Sequence, residues 1–505
     1  MLNRIPSRIR IPFLLAAIAF LIHLVCNLHY GFHGDELYFI ICGQHPQWNY
    51  VDQPLVAPLL AAASQMFGSS LVLLRAVPAL FAGAGIYVTC LTVLELGGAA
   101  YAQFLSAIVV FFLPVLTDFG MKLHTDMVGL WSWPLLTLWI VRLTKGANSR
   151  LWIAIGVLMG VSILSKYSVL FFCGHTTVGA LTHTGKTDSL FTLVRRRGID
   201  FRHHRTAVVL VAGPLWIPDA RIAACGPARQ ERNRRPDGLP WTTSLAQRFP
   251  CAVLDIGLIW LFFRPAVRFL AYGYVLLIAI MIVLHGKHYY PADVYPYLIA
   301  AGCVQIEHWT SELRRGRIVI AAATVLLGLA FFPLVMPVLP EAWLATYHSE
   351  LLSFLRISRQ NIETEHRVAA DLPGDFASMH GWTELTAIVN RVYKELPPAD
   401  QKQAVVLAQN YSQAAAIEFL SKPKLPAISG HNQYFLWGPR GYSGDVLICV
   451  GANCDSVSEV CRTCSLEATQ QAPWIYPSEY DIPIMVCRGI KRPISELWPL
   501  AKFYN

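Results

Sequence analysis

The 505-residue sequence predicts a polytopic α-helical membrane protein of about eleven spans, followed by a C-terminal α/β domain outside the cytoplasm. Three observations predict it. Hydrophobic residues make up 54% of the chain and charged residues only 14%, with a mean hydropathy of +0.43. That is too apolar for a chain folding in water alone. Apolar runs near the roughly 20 residues that cross a bilayer recur along the sequence. Arg and Lys gather at alternate ends of these runs, as the cytoplasmic bias of positive charge requires. The net charge of +9 is therefore a topology signal. The bilayer is the expected partner and nucleic acid is not.

The first run, Ile11–Leu28, follows Arg4, Arg8 and Arg10 and has no small-residue cleavage site after it. It reads as an uncleaved span leaving the cytoplasm, not as a signal peptide. The loop from about Tyr30 to Ser70 then lies outside. Leu71–Leu94 returns inward, Tyr101–Thr117 exits, and Met127–Val141 returns to Arg142, Lys145 and Arg150. Leu151–Leu164 exits and Val169–Leu181 returns ahead of Arg195, Arg196 and Arg197. Phe269–Leu284 exits after Arg264 and Arg268, Val294–Ile306 returns to Arg314, Arg315 and Arg317, and Ile318–Val338 exits last. Weaker runs at Val208–Trp216 and Val253–Phe263 complete the count.

These runs divide the chain into a membrane domain, residues 1–340, and an extracytoplasmic domain, residues 341–505. The tail alternates apolar patches ("AVVLAQN", "DVLICVG", "IPIMVCR") with an amphipathic helical stretch at Trp382–Tyr393. Its cysteines are Cys449, Cys454, Cys461, Cys464 and Cys487. In an oxidising compartment they favour a disulfide over a metal site. The "CRTC" pair lacks a thioredoxin-like surround and is a weak redox candidate.

Residues 174–255 disobey the pattern. "VRRRGIDFRHHR" and "CGPARQERNRRPDG" would place Arg221, Arg229, Arg232, Arg234 and Arg235 outside by parity. Two readings stand: a hydrophilic loop where the parity breaks, or a compensated pair of frameshifts. Translating the coding DNA in the other frames separates them.

Asp35 and Glu36, in "YGFHGDELYFI", sit at the outer lip of the first run. Carboxylates there could act as a general base on an acceptor hydroxyl, bind a cation, or mark the water boundary. Asp126, in "HTDMVGL", opens an apolar helix and suits an N-cap as well as a site. Asp52, in "PQWNYVDQP", is a competing carboxylate that Pro54 and Pro58 place in a structural turn. Trp48 and Tyr50 beside it suit either sugar stacking or the interface. No P-loop, HExxH or GxSxG pattern occurs in a suitable context. No cofactor is expected, and no metal-ligand spacing demands an ion, although paired carboxylates leave room for one.

The order of "HGDELYFIICGQHPQWNYVDQPLVAPLLA", "TDFGMKLHTDMVGLW", "SILSKYSVLFF" and "VLHGKHYYPADVYPYLIAAG" resembles a known family. It is that of the dolichyl-phosphate-mannose–protein mannosyltransferases and the bacterial aminoarabinose transferases, C-type glycosyltransferases akin to family 39. The tail stretch "ISGHNQYFLWGPRGYSGDVLICVG" resembles a bacterial branch of it. The resemblance covers most of Ile11–Cys173, then Trp260–Ile306 and much of the tail, and breaks down between Gly174 and Asp255.

The resemblance implies inverting transfer of a sugar from a polyprenyl-phosphate donor to an acceptor hydroxyl at the extracytoplasmic face. Asp35 would be the base, Glu36 its substitute or helper, and Asp126 a holder of acceptor or sugar. A phosphate leaving group needs positive charge. Lys287, with His288 and Tyr289 in "HGKHYYP", is the first candidate, against a snorkelling interfacial anchor as the alternative. Lys166 is the second and Lys122 the third. The acceptor is open between lipid, glycan and protein. A multi-pass protein of the bacterial inner membrane with its tail in the periplasm follows. Against this stand a flippase for lipid-linked precursors and a degenerate relative without catalysis. The carboxylates lie in external loops and no inverted halves are visible, which favours the enzyme.

Overall fold

The computed structural model describes residues 7–171, 245–284, 286–287, 289–355, 357, 370–452 and 459–504. The expected runs beyond Phe171 and at Val208–Trp216, and most of the aberrant stretch, lie outside them. The described residues form two compact units. One holds the chain up to Leu28 and from Val72 to Met336. The other holds His29–Leu71 together with the chain from Pro337 onward. The stretch expected as the first external loop thus belongs to the same unit as the tail.

The first unit is helical. Its helices Ser7–Cys26, Leu71–Glu95 and Arg314–Phe331, the last lengthened by a 3-10 turn at Phe332–Leu334, are long and apolar enough to cross a membrane. So is the continuous stretch Thr125–Thr144, a 3-10 turn running into Gly129–Thr144. Shorter apolar helices cover Ala100–Phe112, Leu151–Ile163, Ala252–Phe262 and Arg268–Val283. The chain is a polytopic helical membrane protein.

One expected run, Tyr101–Thr117, is broken. Helix Ala100–Phe112 stops and Pro114–Phe119 starts afresh, because Pro114 lacks an N–H and forces Leu113 into extended backbone. The start of Ala100–Phe112 is held from a distance in sequence. The Glu307 carboxylate accepts from the backbone N–H groups of Ala99, Tyr101 and Ala102 at 2.6 to 3.1 Å. Helices Leu245–Phe262 and Tyr295–Trp309 pack closely through glycines. A Cβ at Gly257 would collide with the Leu298 carbonyl, and one at Gly302 with that of Val253. Apolar helices without a solvent drive between them associate through such small residues.

The second unit is α/β. Strands β1 (Ala404–Ala408), β2 (Ala427–Ser429), β3 (Val446–Val450), β4 (Cys461–Gln470) and β5 (Ile482–Ile490) form one mixed sheet. Its order is β2-β1-β3-β5-β4, parallel across the first three strands and antiparallel across the last two pairs. The three "AVVLA", "VLICV" and "IPIMV" patches read from the sequence are β1, β3 and β5. β3 is buried along its whole length, as expected of a strand covered on both faces. Cys461 and Cys487 form a disulfide between β4 and β5, so the two cysteines of "CRTC" are not bonded to each other. Helix Trp382–Glu395 buries Trp382, Leu385, Val389 and Val392, one face at helical spacing.

Helix Gly34–Gln44 of the first loop lies against helix Tyr411–Leu420 of the tail. Gly34 permits the approach, since a Cβ there would sit 2.8 Å from Ser412 Oγ. This contact sets the geometry around Asp35.

Candidate active site

Asp35 and Glu36 open the Gly34–Gln44 helix, where negative charge is favoured by the helix dipole. The cap is His33. Its Nδ1 accepts from the Asp35 N–H at 3.1 Å, and its backbone N–H donates to Glu36 Oε2 at 2.9 Å. Glu36 thus closes a capping box and is fully buried. Asp35 turns the other way. Its side chain is 38% exposed, and Oδ1 accepts from the Tyr411 hydroxyl at 2.8 Å. The His33 ring lies between acids, with Nδ1 3.7 Å from Asp35 Oδ2 and Nε2 3.6 Å from Asp375 Oδ1.

Asp52 shares this unit. Its carboxylate accepts from Tyr38 at 3.1 Å and from Asn432 Nδ2 at 3.0 Å. The residue as a whole is exposed, but its carboxylate oxygens are turned toward the buried Tyr38 and Asn432. Burial pushes its pKa up to about 6 against the pull of those hydrogen bonds, and the charge of Asp35 adds to the rise. Tyr50 hydrogen-bonds the Cys42 carbonyl at 2.8 Å, a structural tie, while Trp48 is exposed.

In the first unit, His124 repeats the arrangement of His33: its Nδ1 accepts from the Asp126 N–H at 3.2 Å. Histidine, not Thr125 or Asp126, therefore supplies both caps. The Asp126 carboxylate pairs with Lys166 Nζ and lies 3.4 Å from His124 Nδ1. Ser165 fixes the Lys166 turn by donating to the Thr125 carbonyl at 2.9 Å. Lys166 Nζ lies 4.7 Å from the ring centre of Tyr290 and 5.4 Å from that of Tyr289, and Lys287 Nζ lies 5.9 Å from Tyr289. The two candidate phosphate lysines thus flank one aromatic pair. Lys122 forms a buried ion pair with Asp118 at 2.8 Å. His288 lies outside the described residues.

Sequence reasoning brought together Asp126, Lys166, Lys287 and Tyr289, and it missed His33, His124, Asp293, Tyr411 and Asn432. The repeated His-x-Asp, at 33–35 and 124–126, was an available signal for the two histidines. Asp293 is buried beside Asp126 and Lys166, within reach of their charges. Among the described residues no group of three or more His, Cys, Asp and Glu side chains is placed to hold a metal ion.

The fold is that of a solved polytopic membrane protein, ArnT, and part of the sequence matches a known family. Residues 45–192 match the family described as dolichyl-phosphate-mannose-protein mannosyltransferase. The particular likeness is to ArnT from Cupriavidus metallidurans. The structure of ArnT bound to undecaprenyl phosphate superposes with a TM-score of 0.56 at 15% identity, covering 94% of this chain and 97% of that one. Its apo state gives 0.56 at 13% identity over the same shares. Curated proteins yield no sequence match.

Proposed function

We propose that the chain is a glycosyltransferase moving a sugar from a polyprenyl-phosphate-linked donor to an acceptor hydroxyl at the extracytoplasmic face of the bacterial inner membrane. Asp35 takes the proton of the acceptor hydroxyl, whose oxygen attacks the anomeric carbon from the face opposite the phosphate. The bond to the phosphate oxygen breaks, the configuration inverts, and polyprenyl phosphate leaves. Lys287 and Lys166, with Tyr289, stabilise the phosphate, and Asp126 holds acceptor or sugar while fixing Lys166. The bound undecaprenyl phosphate named for ArnT supports this class of donor.

One observation carries the assignment of the base. Of the adjacent acids, Glu36 is fully buried in a helix cap while Asp35 is 38% exposed and held by a neutral donor. A base must reach its proton, and only Asp35 of this pair can.

The test is release of free polyprenyl phosphate from labelled polyprenyl-phosphate sugars by membranes carrying the chain. Release with the parent and its loss in Asp35→Asn at equal expression is expected. Equal release from both would remove Asp35 from the role and promote Glu36, Asp52 or Asp126.

A further inference from the structure

Two tyrosines and two carboxylates form a matched arrangement in the second unit. Tyr411 donates to Asp35 and Tyr38 to Asp52, and the two rings lie 4.5 Å apart between centres at a 33° tilt. The Tyr38 hydroxyl has its direction fixed, and the Tyr411 ring has its place fixed. The Gln433 backbone N–H donates to the Tyr38 oxygen at 3.3 Å, which turns the Tyr38 hydrogen toward Asp52. Tyr411 is the first residue of its helix, whose cap, Asn410, accepts from the Gln413 N–H at 2.9 Å. Its ring is packed on the other side by His431, 4.7 Å between centres.

The partners come from distant parts of the chain. Asp35, Tyr38 and Asp52 belong to the first external loop; Tyr411, Asn432 and Gln433 belong to the tail. The tail thus supplies a hydroxyl to Asp35 and an amide to Asp52. A hydrogen bond from a phenol restrains a carboxylate without neutralising it, leaving its second oxygen to face a substrate.

We infer that the C-terminal domain acts in the reaction by orienting the base, with Tyr411 as the positioning residue for Asp35. This rests on the reading of Asp35 as the base. The groups facing Asp35 are His33 from its own helix cap, Tyr411 from the tail helix and Asp52 from the same loop.

Tyr411→Phe keeps the ring between Tyr38 and His431 and removes only the hydroxyl. In the release assay on the full chain, kcat is expected to fall by about tenfold to a hundredfold, the size of one hydrogen bond to a charged acceptor. KM for the donor stays unchanged, so the loss falls on the chemical step and not on binding. A thermal-unfolding cycle of Tyr411→Phe, Asp35→Asn and the double variant reads the contact independently of activity. A double variant losing less than the sum of the singles is expected.

Additive losses would overturn the contact whatever the activity. Coupled losses with parental kcat in Tyr411→Phe would make the contact structural only and overturn the inference. Parental release from Asp35→Asn, or none from the parent, would sink the functional reading first and this one with it.

Discussion

The carboxylate of Asp293 lies against the backbone of Gly129, where a Cβ would collide with it. Asp293 is 3% exposed, and its Oδ1 has no hydrogen-bond partner among the described residues. Gly129 begins the helix that follows Asp126, so the packing places a second acid beside the Asp126–Lys166 pair. Gly129→Ala is expected to destabilise by about 1–3 kcal/mol, the usual cost of overpacking. Most of that loss should vanish in an Asp293→Ala background. Thermal unfolding in detergent decides it: an equal loss in both backgrounds would mean that the two residues do not constrain each other.

Lys166 and Asp126 form an ion pair whose side chains are 23% and 10% exposed. Breaking one side of a largely buried pair leaves a charge without compensation, which costs about 3 kcal/mol or more. Lys166→Met alone should therefore lower the unfolding midpoint more than Lys166→Met combined with Asp126→Asn. A double variant weaker than the lysine single would show that Asp126 draws its support elsewhere, from His124.

The elements were legible where period and charge carry the signal. The Trp382–Tyr393 stretch forms a helix, Trp382–Glu395, because its apolar residues recur on one face. The start of β1 at Ala404 follows from a run of apolar residues bounded by polar ones. Pro114 was visible as a residue, but whether a proline kinks or ends an apolar run depends on neighbours that sequence does not name. The candidate acids could be singled out because a charge at a span boundary stands out. Their partners were not. Tyr411 and Asp35 are 376 residues apart, and nothing local to either marks the bond. Glu36 is the opposite case: its contact is local, to the His33 N–H, but His is an unusual cap and the box is hard to read from sequence.

Asp52 gives the pH behaviour a sign. An ordinary carboxyl of this type titrates near 3.8, and burial lifts this one to about 6. The fold therefore prefers its protonated form. Relative to Asp52→Asn, the parent should be most favoured below about pH 3.8 and should lose that advantage as pH rises through 6. Unfolding midpoints of both proteins between those limits test it. Parallel curves would mean that the water reaching Asp52 cancels the effect of its buried partners.

Glu36 separates capping from chemistry. Its carboxylate accepts from the His33 N–H at 2.9 Å inside a fully buried site. Glutamine fills the same place in a capping box. Glu36→Gln should therefore keep both the midpoint and polyprenyl phosphate release close to the parent. Glu36→Ala leaves the His33 N–H unpaired and should destabilise by about 1–3 kcal/mol. Its release rate per folded molecule should drop less than that of Asp35→Asn, since the exposed acid is still present. Loss of release in Glu36→Gln, with the midpoint retained, would show that the chemistry needs the negative charge of Glu36 and would move the base one residue along the helix.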